Sequence, residues 1–173
     1  LKKHLCHKRY VKLTRTIGKQ SHISNGILLS KSKHFILIQE TSDFKVLSYQ
    51  IFPIDTISNV RYIDYDKTTE RILKSEGEYA KAKLKYNINL KNWKTICNDI
   101  LKTGIPIIAE CEHPKLNYFC IGKLMKVNKK SIFIKYFDAN GIYDKKNTKN
   151  HFKDITKLSL NDRYADIFSK YAK

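Results

Sequence analysis

"GILLSKSKHFILI" (Gly26–Ile38) returns almost a hundred residues later as "GKLMKVNKKSIFI" (Gly122–Ile134). Each stretch has a glycine, an apolar run, a short turn with lysines and a second apolar run. Setting Gly26 on Gly122 places Leu28 on Leu124, Ile36 on Ile132 and Ile38 on Ile134. With a small gap, "IDTISNV" (Ile54–Val60) falls on "FKDITKL" (Phe152–Leu158). Two copies are too few for a solenoid, so the repetition predicts a pair of related units.

Outward from these stretches, each copy reads as five short strands and a helix. In the first, "RYVKLTRTI", "HISNGILLS", "HFILIQE", "LSYQIFPI" and "ISNVRYI" are β-rich runs between turn-formers. In the second they are "IPIIAECE", "YFCIGKLMKV", "SIFIKYFD", a weak run near "GIYD", and "DITKLSL". Gly26 and Gly122 lie inside strands, where glycine marks a bend or a close backbone approach. "DKTTERI" from Asp66 and "DRYADIF" from Asp162 open with aspartate at a helix N-cap. "LKNWKTICNDILK" predicts a further helix with Leu90, Trp93, Cys97 and Ile100 on one face. Tyr164, Phe168 and Tyr171 stripe the last helix in the same way, as core. The expected fold is mainly β with flanking helices (α+β): two tandem five-stranded SH3/Sm-like barrels, each followed by a helix. The first barrel and its helix take residues 1–78, a basic connector 79–89, and a helix plus the second barrel 90–173.

These residues resemble the Sm-like barrels, in which a bent second strand carries a glycine, an apolar residue two later, a polar turn and an apolar third strand. The pattern here is Gly122, Leu124, Val127, Asn128, Ile132 and Ile134, and more loosely Gly26, Leu28, Ser32, Ile36 and Ile38. The resemblance covers both halves at the level of fold and implies RNA binding and ring formation. It departs from the family where the base is held. The family's loop aspartate is Asn128 in one copy and Ser32 in the other, and no Arg-Gly precedes Ile57 or Ile155. As a whole the chain is similar to bacterial two-barrel proteins, a resemblance that brings no function with it.

Charge supplies the functional expectation. Lys and Arg number 34 against 16 Asp and Glu, a formal net charge of +18. A preference for lysine over arginine changes no charge and leaves that excess unexplained. A field of this size attracts polyanions. It is uneven: Glu40–Ala80 holds eight acids and five bases, whereas Lys123–Lys153 holds two acids and nine bases. Lys31 and Lys33 in one turn match Lys129 and Lys130 in the other, read either as paired phosphate contacts or as solvated turns. Arg9, Lys12 and Arg15 are expected on one face of the first strand. Lys123 and Lys135, with Tyr136 and Phe137, offer a surface on which unpaired bases stack. The expected partner is nucleic acid, RNA before DNA, or alternatively an acidic protein.

No enzyme is expected, because the chain has no Gly-rich phosphate loop, Gly-x-Ser-x-Gly turn or His-Glu-x-x-His helix. Neither "HLCH" (His4, Cys6, His7) nor "CEH" (Cys111, His113) has the paired spacing of a structural zinc site, so no metal or other cofactor is expected. If "PKLN" (Pro114–Asn117) turns a hairpin, Cys111 faces Cys120. The longest apolar stretches are far too short to span a bilayer. The opening residues show no charged-then-apolar signal segment, although Leu1 in place of Met leaves room for a leader ahead of it. A cytoplasmic location is expected.

Overall fold

The structure, a computed structural model, describes residues 8–173; His4, Cys6 and His7 lie outside the described residues. Strands β1 (Tyr10–Ile17), β2 (Gln20–Lys31), β3 (Phe35–Ser42), β4 (Lys45–Pro53) and β5 (Ile57–Arg61) come first, with a 3-10 turn at Ile54–Thr56. Helices α1 (Asp64–Ser75), α2 (Glu78–Lys81) and α3 (Trp93–Thr103) follow. The second half holds β6 (Pro106–Cys111), β7 (Tyr118–Val127), β8 (Ser131–Tyr136), β9 (Thr148–His151), β10 (Lys157–Leu160) and α4 (Arg163–Tyr171).

All ten strands join one open sheet in the order β5-β1-β2-β3-β4-β10-β6-β7-β8-β9, every pair antiparallel. The expectation of two separate five-stranded barrels is therefore corrected. The reason lies at the joint, where Ile51 of β4 sits opposite Leu158 of β10, and Tyr49 opposite Leu160. All four side chains are fully buried. Separating the halves would expose two apolar edges, which natural sheets cover. The position in β9 that corresponds to Ile51 is Lys149, exposed on the outer edge of the sheet. The joint is thus made once within the chain.

The two halves repeat strand order and register. Val11 pairs with Gly26 as Ile107 pairs with Gly122, and the ladder shifts between Leu28 and Ser30 as it does between Leu124 and Lys126. The glycines allow the close approach. A Cβ on Gly26 would stand 2.2 Å from the Gln39 carbonyl oxygen, and one on Gly122 2.0 Å from that of Lys135. Burial differs between the copies. Ile36, Leu37 and Ile38 are all fully buried, because Ile36 and Ile38 face a core inside the first half and Leu37 faces the larger core shared by both. In the second copy Ile132 and Ile134 are buried while Phe133 between them is half-buried. Burial therefore runs unbroken through "FILI" in the first copy and alternates through "IFI" in the second.

The shared core takes Trp93, Ile96, Cys97 and Ile100 from α3. That helix is capped by Asn92, whose side chain accepts from the Thr95 amide at 2.9 Å, and stops at Gly104 with φ 68°. Residues 79–89, expected as a polar connector, contribute Ala82 and Ile88 to the same core. Asp66, expected at the N-cap, is instead the third residue of α1, which starts at Asp64. There it accepts from the Ile63 amide at 3.0 Å and from Nη2 and Nε of Arg61 at 2.8 and 2.9 Å. In α4 the Asp162 side chain accepts from the Ala165 amide at 3.1 Å. Tyr164 and Tyr171, expected as core, are exposed instead; Tyr164 stacks on Phe168 at 5.2 Å. The fourth strand of the second half is Thr148–His151 and not the run near "GIYD", which supplies a single bridge from Tyr143 to Phe137.

Candidate nucleic-acid interface

Three aromatic anchors gather three lysines at the joint between the halves. Phe35, just after the first lysine turn, meets Trp93 edge-on with ring centroids 4.7 Å apart. This contact sets Lys33 and His34 beside Lys91 at the start of α3. The turn is held by Ser32, whose hydroxyl accepts the amides of His34 (3.1 Å) and Phe35 (3.0 Å). Phe152, half-buried against the shared core, carries Lys153 to the same place, and its amide donates to the Lys130 carbonyl at 3.0 Å. The second lysine turn is thereby tied to the rim.

The result is a groove of about 820 Å³ floored by Phe35, Trp93 and Ile155. Lys33, Lys91 and Lys153 are exposed along it, and among the described residues Asp55 is its only acid. The N-terminus of α3 opens into it with no acid in the first turn, which adds positive potential. A second cleft shares Asp55, Thr56, Lys153 and Thr156 and carries the path on to His113 and Lys115. A continuous basic channel across a joint suits a phosphate backbone, which is bound by charge without sequence information.

The sequence-derived residues divide between this groove and elsewhere. Lys33 lines it, Lys31 is exposed at the end of β2, and Lys129 and Lys130 are exposed in the turn abutting Phe152. Lys123 is exposed on β7 but does not line it, and Lys135 donates its ammonium to the Asp144 carbonyl at 2.9 Å. Phe137 is fully buried and offers no stacking face. Arg9 lies over the Tyr62 ring at 4.6 Å, and Lys12 is half-buried in β1 near Arg61. Spacing of three in a strand puts Lys12 and Arg15 on opposite faces, so the shared face expected for the trio does not form.

Arg15 points inward and is 1% exposed. Its guanidinium makes two bonds of 2.6 Å to the Glu112 carboxylate and stacks over Phe52 at 4.2 Å. Glu112 also accepts from the Thr156 hydroxyl at 2.8 Å. Burial pushes the Glu112 carboxyl up, but Arg15 and Thr156 together hold it below its ordinary value. Arg15 comes from the first half and Glu112 from the second, so this pair clamps the joint under the groove. Nearby Glu110 is paired with Lys157 at 2.7 Å, yet burial keeps its carboxyl above the ordinary value.

Cys111 lies opposite Tyr118 and Cys120 opposite Ala109, two residues out of the expected register. The turn takes in residues 112–117, with Glu112 and His113 added on the N-terminal side of "PKLN", and the amides of Leu116 and Asn117 both reach the His113 carbonyl. Burial pushes the Cys120 thiol up to about 11 and the Cys97 thiol to about 12, so both stay protonated near neutral pH. Among the described residues, no three His, Cys, Asp or Glu side chains gather as a metal would require. No helix among them is long and apolar enough to cross a membrane.

No family model, curated protein or solved structure matches the chain. Sequence reading missed Lys91 and Lys153. Lys153 ends the basic stretch Lys123–Lys153, and Lys91 lies in another, Lys81–Gly104, with six bases and one acid. What brings them to Lys33 is long-range aromatic packing.

Proposed function

We propose that the protein is a cytoplasmic nucleic-acid-binding module that holds a single strand, RNA before DNA, by its phosphates along the groove at the joint. The convergence of Lys33, Lys91 and Lys153 on one groove whose lining, among the described residues, holds a single acid carries this reading; the cleft that extends it adds Lys115 and a second acid, Asp154. The Sm-like resemblance favours RNA, and the exposed lysine turns on either side extend the contact. Bases turned toward Phe152 gain stacking that tolerates any sequence.

Changing Lys33, Lys91 and Lys153 together to Glu should weaken binding of a single-stranded RNA oligonucleotide about 100-fold. It should also lower the slope of log affinity on log salt by about 2, at about 0.7 for each lost contact. Fluorescence anisotropy over a salt series reads both. Unchanged affinity, with the same variant still folded by circular dichroism, sinks the groove as the site.

A protein partner is the second reading, favoured by one observation. Leu47, Tyr164 and Ile167 are exposed along a separate cleft of about 920 Å³, among Glu40, Glu78, Asp162 and Asp166 and the bases Lys45, Lys81 and Arg163. An apolar surface rimmed by charges of both signs suits a protein surface better than a phosphate backbone.

A further inference from the structure

The repeat contains one uneven exchange. Register equates Phe52 of β4 with Asn150 of β9, since Phe52 pairs with Ile36 and Asn150 with Ile132. By the same registers Arg15 corresponds to Cys111, and His22 to Tyr118. In the first half Phe52 and Arg15 stack and fill the space between the strands. In the second half the smaller Asn150 and Cys111 stand in their places, and a cleft of about 360 Å³ opens beside β9.

The groups in that cleft are unusual for a simple packing gap. Asn150 is only 4% exposed. Its amide nitrogen donates to the Cys120 sulfur at 3.4 Å, an ordinary length for sulfur, and more weakly to the Thr148 carbonyl at 3.5 Å, which leaves its amide oxygen to accept from a ligand. The Tyr118 hydroxyl is buried with no hydrogen-bond partner, which is costly unless a bound molecule supplies one. Phe119, half exposed, and Tyr136 complete aromatic walls. Lys149 and His151 at the rim are offset by Asp144 and Asp154, so the cleft is not built for an anion. Burial keeps both the Cys120 thiol and the Tyr118 phenol protonated, so the polar groups offered are neutral.

We propose that this cleft is a binding site for a nucleobase, held between aromatic walls and hydrogen-bonded by Asn150 and Tyr118. A side-chain amide matches the paired donor and acceptor of a base edge, and aromatic rings supply the stacking. The base comes either from a free nucleotide or from an unstacked position of a bound strand. The first source is independent of the groove; the second rests on the function proposed above.

The test restores the plug of the first half with Asn150→Phe and removes one hydroxyl with Tyr118→Phe. Isothermal titration of the full chain with the monophosphates of adenosine, guanosine, cytidine and uridine reads the free-nucleotide source. Anisotropy with a single-stranded RNA oligonucleotide reads the other. The expected result is saturable binding of at least one monophosphate, or selective binding of one oligonucleotide sequence, lost at least tenfold in Asn150→Phe and several-fold in Tyr118→Phe. The triple lysine variant should keep monophosphate binding, which separates failure of the groove from failure of the cleft. If no monophosphate saturates and neither variant alters oligonucleotide affinity, the cleft is no base site. Should Asn150→Phe misfold, the Tyr118→Phe result decides alone.

Discussion

Glu112→Ala is expected to lower the unfolding free energy by about 3 to 5 kcal/mol, the usual loss when one partner of a buried ion pair is removed. The substitution leaves Arg15 charged, 1% exposed and facing Phe52 without its carboxylate. Its Nε already has no partner, so the guanidinium would then lack every charge-assisted bond it makes. Because Glu112 lies in the second half and Arg15 in the first, the loss should loosen the joint itself. Hydrogen exchange should rise at β4 and β10 before it rises at β7 and β8. Acid should act in the same direction. The Glu112 carboxyl is lowered in the fold, so its stabilisation is present above its unfolded value and disappears as pH falls through the folded value. The variant should therefore lose less stability than the native chain on acidification. Equal stability of variant and native chain at neutral pH would show that the clamp contributes nothing to the joint.

Gly122→Ala is expected to cost about 3 kcal/mol or more, at the upper end of overpacking effects. The added methyl meets a backbone carbonyl at 2.0 Å, and the residue's φ of +147° is strained for any L side chain. Backbone cannot rotate away as a flexible side chain would. Gly77→Ala gives the contrast: its φ is +72°, but nothing lies within 4 Å, so about 1 kcal/mol is expected. Urea denaturation of the two variants measures the difference. Similar midpoints for both would mean that the strands near Gly122 separate more easily than the contact implies.

Part of this architecture was legible in the residues. The two glycines, the apolar runs around each lysine turn and the cap at Asp162 are local signals, and strand pairing follows them. What joins the halves is not local. That β4 finds β10 depends on Tyr49, Ile51, Leu158 and Leu160 meeting from opposite ends of the chain, and nothing near any of them says so. The site divides the same way. Lysine excess was visible from composition, while Arg15 looked like another surface cation until its strand parity with Val11 and Leu13 put it inside. Lys91 and Lys153 gained meaning only from Phe35 against Trp93 and from Phe152.

The most direct measurement is the affinity of the native chain for single-stranded RNA, single-stranded DNA and duplex DNA across a salt series. The account predicts tighter binding to single strands than to duplex, RNA first. It predicts a linear fall of log affinity with log salt whose slope, at about 0.7 per contact, gives at least three phosphates. Equal weak binding to all three, gone by physiological salt, would contradict it and leave charge without a site.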